Sequence, residues 1–225
     1  MIRAVLFDMF ETLVTLNAGG YYFNEDMARD AGIQEDFFRG IWSKSEYDRT
    51  VGKMTMEEAV EIALKEAGKY SEELFQSIIV KRREAKKRPF SECCMHPEIF
   101  PMLQMLREKG ILIGLISNCF SEEAEVIHES RLYPLFDSPM LSYEQGICKP
   151  DREIFDRCLK KLGVSADECF YVGDGGSREL EISEQLGMKT FQAVWYLREG
   201  ANQPCGRLDR FRQLERPLEL IGYLE

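Results

Sequence analysis

Four short groups of residues carry side chains able to do chemistry. The first is Asp8, which ends the apolar run Val5-Leu6-Phe7, with Thr12 four positions later. A carboxylate at the exit of a buried strand is costly unless its charge is compensated. The second is Ser117-Asn118, a hydroxyl and an amide closing the apolar run 111–116. The third is Lys149, followed by Pro150 and Asp151; the fourth is Gly173-Asp174, with Glu179 five positions after the aspartate. Singly, each has an ordinary use: a helix cap, a polar turn, a solvated lysine, a Gly-Asp-Gly turn. Together they pose a charge problem. Two carboxylates about 4 Å apart repel by roughly 4 kcal/mol at an effective dielectric of about 20, so such a pair takes up a proton or holds a cation. Glu179 adds a third acid, and an all-oxygen group suits Mg²⁺, which completes its shell with water and substrate phosphate. Ser117 and Asn118 could bond a phosphoryl oxygen ahead of a helix start, where an anion is favoured. Lys149 is a point cation that could hold a carboxylate nucleophile and a phosphate together.

The elements that must position these groups are read from periodicity. Residues 2–7, 111–116, 140–142, 169–172 and 189–194 read as strands, the last of these closing the sheet. Helices are expected at 97–109, 122–131, 151–162, 177–186 and 217–224, with Gly110, Gly163 and Gly187 as stops. Strands and helices in alternation predict an α/β protein with a Rossmann-like parallel sheet covered by helices on both faces. Ligands of such sheets bind beyond the carboxyl ends of the strands, and Asp8, Ser117-Asn118 and Gly173-Asp174 all fall there. Between about 15 and 90 the pattern is helical throughout. Apolar stripes start at Ile41, Trp42 and Ser45, at Ala59, Ile62 and Ala63, and at Leu74, Phe75, Ile78 and Ile79. Thr55-x-x-Glu58 is a capping box and Ser71 a helix start, while Gly19-Gly20, Gly32, Gly52 and Gly68 mark breaks.

The 225 residues suffice for one large domain or a domain with a substantial insertion. The formal net charge of −10 argues against general nucleic-acid binding, which depends on neutralising phosphates with Lys and Arg. No apolar run reaches the roughly 20 residues a membrane helix needs, and no signal-peptide pattern opens the chain. Seven cysteines without a Cys-x-x-Cys are read as reduced thiols in a cytoplasmic protein. His96 and His128 are isolated from any partner at metal-ligand spacing. The basic run 81–88 is expected to be a solvated helix face. Tyr21, Tyr22 and Phe23 are candidates either to face a substrate or to pack in a core.

Asp8-x-x-x-Thr12, Ser117-Asn118, Lys149-Pro150 and Gly173-Asp174-x-x-x-x-Glu179, in this order and each at a strand end, resemble the four motifs of the haloacid dehalogenase-like hydrolase superfamily. The likeness spans essentially the whole chain, since the stretch at 15–90 is similar in placement to the helical cap that one subgroup inserts between the first two motifs. It implies a catalytic core of 1–14 and 91–225 and a cap of 15–90. It further implies Asp8 as a nucleophile forming an aspartyl intermediate, Thr12 as a hydrogen-bonding partner in its loop, Ser117 and Asn118 as contacts to the transferred group, and Lys149 as the cation that steadies Asp8. Asp8, Asp174, Glu179 and the backbone carbonyl of Phe10 would hold Mg²⁺, Glu179 directly or through water.

Two residues depart from the pattern. Phosphatases of the superfamily carry an aspartate at the position of Phe10, as general acid and then base; losing such a group costs 10²–10⁴-fold, or about 3–5 kcal/mol. Glu11 stands where glycine is usual. Dehalogenases have an aromatic residue at the Phe10 position and often Ser-Asn in the second motif, but work without metal and lack the Gly-Asp of Gly173-Asp174. The acids decide the expectation: an Mg²⁺-dependent phosphatase of small phosphorylated metabolites. The missing acid would matter less for an acyl or aryl phosphate, or Glu11 or a cap residue could deliver the proton. The alternatives are a metal-independent 2-haloacid dehalogenase-like hydrolase and a phosphoryl-ligand binding protein with weak catalysis.

Overall fold

A computed structural model describes residues 1–17, 22–198 and 205–224; Gly19, Gly20 and Tyr21 lie outside the described residues. Among the described residues six strands form one all-parallel sheet: β1 (Ala4–Phe7), β2 (Leu112–Ser117), β3 (Ser138–Leu141), β4 (Cys169–Gly173), β5 (Lys189–Ala193) and β6 (Arg212–Leu214), in the order β3-β2-β1-β4-β5-β6. The central strand β1 is buried throughout, as a strand covered on both faces must be. Its side chains alternate between two cores. Val5 and Phe7 join Leu103 and Leu106 of α6 (Ile99–Glu108) and Ile127 of α7 (Ser121–Glu129). Ala4 and Leu6 join Phe155 and Leu159 of α8 (Arg152–Leu162) and Leu180 of α9 (Glu179–Gln185). On that second face Gly114 of β2 leaves no room for a side chain, because a Cβ there would meet the Cys158 sulfur at 2.8 Å.

The register aligns the strand ends. Phe7 pairs with Leu115 on one side and with Val172 on the other, so Asp8, Ser117 and Asp174 emerge at the same carboxyl edge.

Between β1 and β2 lies an all-helical insert: α1 (Asn24–Ala31), α2 (Glu35–Lys44), α3 (Glu46–Thr50), α4 (Met56–Glu66) and α5 (Glu72–Lys87). It has its own core of Met27, Phe38, Trp42, Val60, Leu64 and Ile78 among others. The Thr55/Glu58 capping box opens α4 and Ser71 caps α5 by accepting from the Leu74 N–H. The α4 stripe runs through Val60 and Leu64, whereas Ile62 is exposed.

Four readings from sequence are corrected. Residues 81–88 are not a uniformly solvated face: Arg82 and Lys86 are buried, on the same side of α5 as Ile78 and Ile79, because a spacing of four returns to one helix face. There Arg82 Nε donates to Glu122 of α7 (3.1 Å) and Lys86 Nζ to Glu123 (2.5 Å). The helix expected at 177–186 starts only at Glu179, because Ser177 and Arg178 adopt left-handed backbone (φ 54 each). Strand β5 is not the sheet's last: β6, only three residues of mixed polarity, pairs with it at the edge. Residues Pro217–Tyr223 form 3-10 turns rather than an α-helix.

Candidate active site

At the end of β1 the Asp8 N–H still donates to Val172 O (3.0 Å), carrying the ladder one residue past the strand. The chain then turns tightly, with the Leu13 and Val14 N–H groups both donating to Met9 O. This turn requires a left-handed residue, and Glu11 occupies that position (φ 56). Glycine suits such backbone best; here the glutamate side chain adds a compensating staple. Its Oε2 accepts from the Thr15 hydroxyl (2.8 Å) and its Oε1 from the Leu16 N–H (2.7 Å). Trp195 Nε1 donates to Thr12 O (2.9 Å) and the Tyr196 hydroxyl to Leu13 O (3.3 Å), fixing the far side of the turn.

Around Asp8 the other groups converge. Lys149 Nζ donates to Asp8 Oδ1 (2.5 Å) and also to Glu179 Oε2, and all three side chains are nearly sealed from solvent. Thr12 Oγ1 donates a long bond to Asp8 Oδ2 (3.5 Å). Asn118 grips the Lys149 backbone from both sides: the Lys149 N–H donates to its Oδ1 (2.8 Å), and its Nδ2 donates to Lys149 O (3.0 Å). Asp174 Oδ1 accepts from the Gly176 N–H (2.8 Å). Ser117 stands apart from this convergence. It is fully buried, and its hydroxyl meets the Asn118 carbonyl at 3.5 Å.

Asp8, Asp174 and Glu179 present carboxylate oxygens within 4.8 Å of one another. Burial first, and then the charge of Asp8, pushes the Asp174 carboxyl up to about 7 and raises that of Glu179 as well. Burial alone would drive the proton from Lys149, but the Asp8 and Glu179 carboxylates outweigh it and hold the ammonium charged. One lysine cannot neutralise three acids, so the donor set fits a cation. The three acids differ in availability. Glu179 is engaged by Lys149, by the Tyr171 hydroxyl (2.9 Å) and by the Gly175 N–H (3.3 Å). Asp8 and Asp174 are more exposed than Glu179, and all three line a cavity of about 600 Å³ that also reaches Phe10, Leu16, Phe23 and Glu25. Tyr22 instead turns to the insert, where its hydroxyl donates to Asp30 (2.8 Å).

Sequence reasoning passed over two positioning groups. Tyr171 reads as one more apolar strand residue, yet its hydroxyl orients Glu179. Gln192, buried in β5, donates through Nε2 to Asp174 O (2.8 Å) and accepts at Oε1 from the Leu208 N–H (2.8 Å). A lone amide within a buried strand was the available signal.

A parallel sheet with an acid cluster at its carboxyl edge and a helical insert after β1 defines an α/β protein built to hold its ligand beyond the strand ends. The chain belongs to the haloacid dehalogenase-like hydrolase family, whose model matches residues 2–186. It is 25% identical over 201 residues to a glyceraldehyde 3-phosphate phosphatase of Methanocaldococcus jannaschii, covering 86% of each chain. To a phosphoserine phosphatase of Thermus thermophilus it is 24% identical over 223 residues, covering 86% of this chain and 88% of that protein. In fold it is similar to a 2-haloacid dehalogenase from Pseudomonas syringae pv. Tomato (TM-score 0.73, 22% identity, 100% of this chain and 98% of the other).

Proposed function

We propose that this hydrolase is an Mg²⁺-dependent phosphatase of small phosphorylated metabolites that works through an aspartyl-phosphate on Asp8. The observation that carries the reading is the Asp8–Asp174 pair: a buried acid and a half-buried one on one cavity, beside a third acid, with Lys149 among them. A divalent cation there would neutralise the acids and the phosphoryl oxygens; Asp8, Asp174 and the Phe10 carbonyl would hold it, with Glu179 close behind. Asp8, held by Lys149, attacks phosphorus, and Lys149 offsets charge on the transferred group. Glu179 and Asn118 keep Lys149 in place, one through its ammonium and the other through its backbone. Thr12 orients the second oxygen of Asp8, and Ser117 supports the loop that carries Asn118. The phosphatase names of the relatives support this reading.

We assign the helical insert, taken as 15–90, the part of a cap over the core of 1–14 and 91–225, with Phe23 and Glu25 facing the cavity. No helix among the described residues is long and apolar enough to cross a membrane, and seven cysteines outside any disulfide suit a cytoplasmic protein.

Asp8→Asn lowers kcat by at least about 10⁴-fold in a phosphate-release assay with Mg²⁺, and chelation removes the activity of the native chain. Undiminished turnover in the variant sinks the nucleophile assignment. Halide release from a 2-haloacid under chelation would instead establish the dehalogenase alternative, for which Phe10 beside Asp8 is the favouring feature.

A further inference from the structure

The cavity holds many carboxylates and few ways to give away a proton. Its ionisable lining among the described residues is Asp8, Glu11, Glu25, Asp174, Glu179 and Lys149. Asp8 is the attacking group of the proposed reaction, and Asp174 and Glu179 belong to the acid cluster. Lys149 already donates to Asp8 and Glu179. Both oxygens of Glu11 are taken up inside the turn, accepting from the Thr15 hydroxyl (2.8 Å) and the Leu16 N–H (2.7 Å). Glu25 sits half-exposed on α1, facing Arg39 at 3.5 Å. No histidine, cysteine or tyrosine lines the cavity among the described residues. Two residues past Asp8, the wall is an aromatic ring: Phe10 lies edge-on to Phe90, with centroids 6.5 Å apart. Leu16 and Phe23 extend this apolar side.

A leaving alkoxide needs a proton as it departs; a carboxylate or phenolate does not. We infer that the substrate is an activated phosphate, whose leaving oxygen departs as a stable anion against the Phe10 side of the cavity: an acyl phosphate or an aryl phosphate. The inference rests on the phosphatase reading and narrows it. In the first half-reaction an Asp8 oxygen bonds to phosphorus and the bond to the leaving oxygen breaks. Its electron pair stays on the carboxylate or phenolate, and no proton moves. The resulting aspartyl phosphate is itself an acyl phosphate. Water then bonds to phosphorus, Asp8 leaves as a carboxylate, and the protons of the water depart with inorganic phosphate and to solvent. Neither half requires an acid at position 10. The class differs from the alkyl esters in the relatives' names, glyceraldehyde 3-phosphate and phosphoserine.

The test is a leaving-group series with the Mg²⁺-loaded full chain: acetyl phosphate, aryl phosphates of phenols with pKa from about 5 to about 10, and glyceraldehyde 3-phosphate and phosphoserine as alkyl esters. The expected kcat/KM falls roughly tenfold for each unit of leaving-group pKa, with the alkyl esters at least about 10³-fold below acetyl phosphate. Phe10→Asp is expected to raise alkyl-ester turnover and flatten the slope. Alkyl esters within about tenfold of the best aryl phosphate in the native chain overturn the inference while leaving the phosphatase reading intact. So does a loss confined to alkyl esters in Glu11→Gln or Glu25→Gln, which would identify a proton donor. Failure to hydrolyse any phosphate, acetyl phosphate included, removes the phosphatase reading and this inference with it.

Discussion

Gly173, the last residue of β4, shows how little slack the site has. A Cβ at this position would lie 2.0 Å from Glu179 Oε1, so the bare backbone is what lets Glu179 approach Lys149. Gly173→Ala is therefore expected to push Glu179 away and loosen the ammonium from Asp8. Its kcat should fall about 10²-fold or more, with roughly 1–3 kcal/mol of stability lost to overpacking; paired kinetics and urea denaturation check both. The acids and the lysine of this site were legible because strand-end position and residue type suffice to nominate a charged group. Tyr171 and Gln192 were not, because what they do depends on which neighbour the fold brings to a hydroxyl or an amide. Glu11 falls between. Its departure from glycine was visible, but only the structure reveals a left-handed residue stapled through both carboxylate oxygens.

Sequence periodicity found the helix α5 but misjudged its basic face. Its basic run divides into an exposed set, including Lys81, Arg83 and Lys87, and the buried pair Arg82 and Lys86. The partners Glu122 and Glu123 open α7, the first helix after the Ser117-Asn118 turn. A one-dimensional pattern cannot show that a lysine or arginine on an apolar stripe has a glutamate waiting on another element. Removing one member of such a pair strands a buried charge. Arg82→Met alone is expected to cost about 3–5 kcal/mol, and Arg82→Met with Glu122→Leu far less, since replacing a whole buried pair by apolar groups is often close to neutral. Chemical denaturation of the two single variants and the double variant gives the coupling; an additive double variant would contradict the pairing.

At the scale of the whole molecule, the acid cluster ties stability to pH and to cations. With chelator present, burial and Asp8 keep the Asp174 carboxyl up at about 7, above the ordinary aspartate value of about 4. Between these two values the folded chain binds more protons than the unfolded one, so stability falls as pH rises through the window and levels off above it. Chelated protein should thus melt higher at about pH 5.5 than at about pH 8 through this group. Mg²⁺ should raise the melting temperature more at the higher pH, and Asp174→Asn should suppress both trends. Calorimetry across the window decides; equal Mg²⁺ stabilisation at both pH values would count against the cluster as the cation's site. The sheet itself was largely legible, since β1, β2 and β4 are apolar runs that need both faces covered. The three-residue edge strand β6 has no such run; pairing with β5, the burial of Leu214 and the Arg212 bond to the Tyr223 hydroxyl hold it.

The two tryptophans divide the molecule between them. Trp195 donates its indole N–H to the carbonyl of Thr12 in the turn that follows Asp8. Trp42 lies in the insert, with the Arg49 guanidinium 3.8 Å from its ring centroid and Phe120 on that group's other side. Intrinsic fluorescence is thereby split into two channels, one beside the nucleophile and one where the insert meets the sheet. With Trp42→Phe and Trp195→Phe as the single-channel versions, rapid-mixing spectroscopy can time loading of Asp8 separately from movement of the helices above it, with no added label.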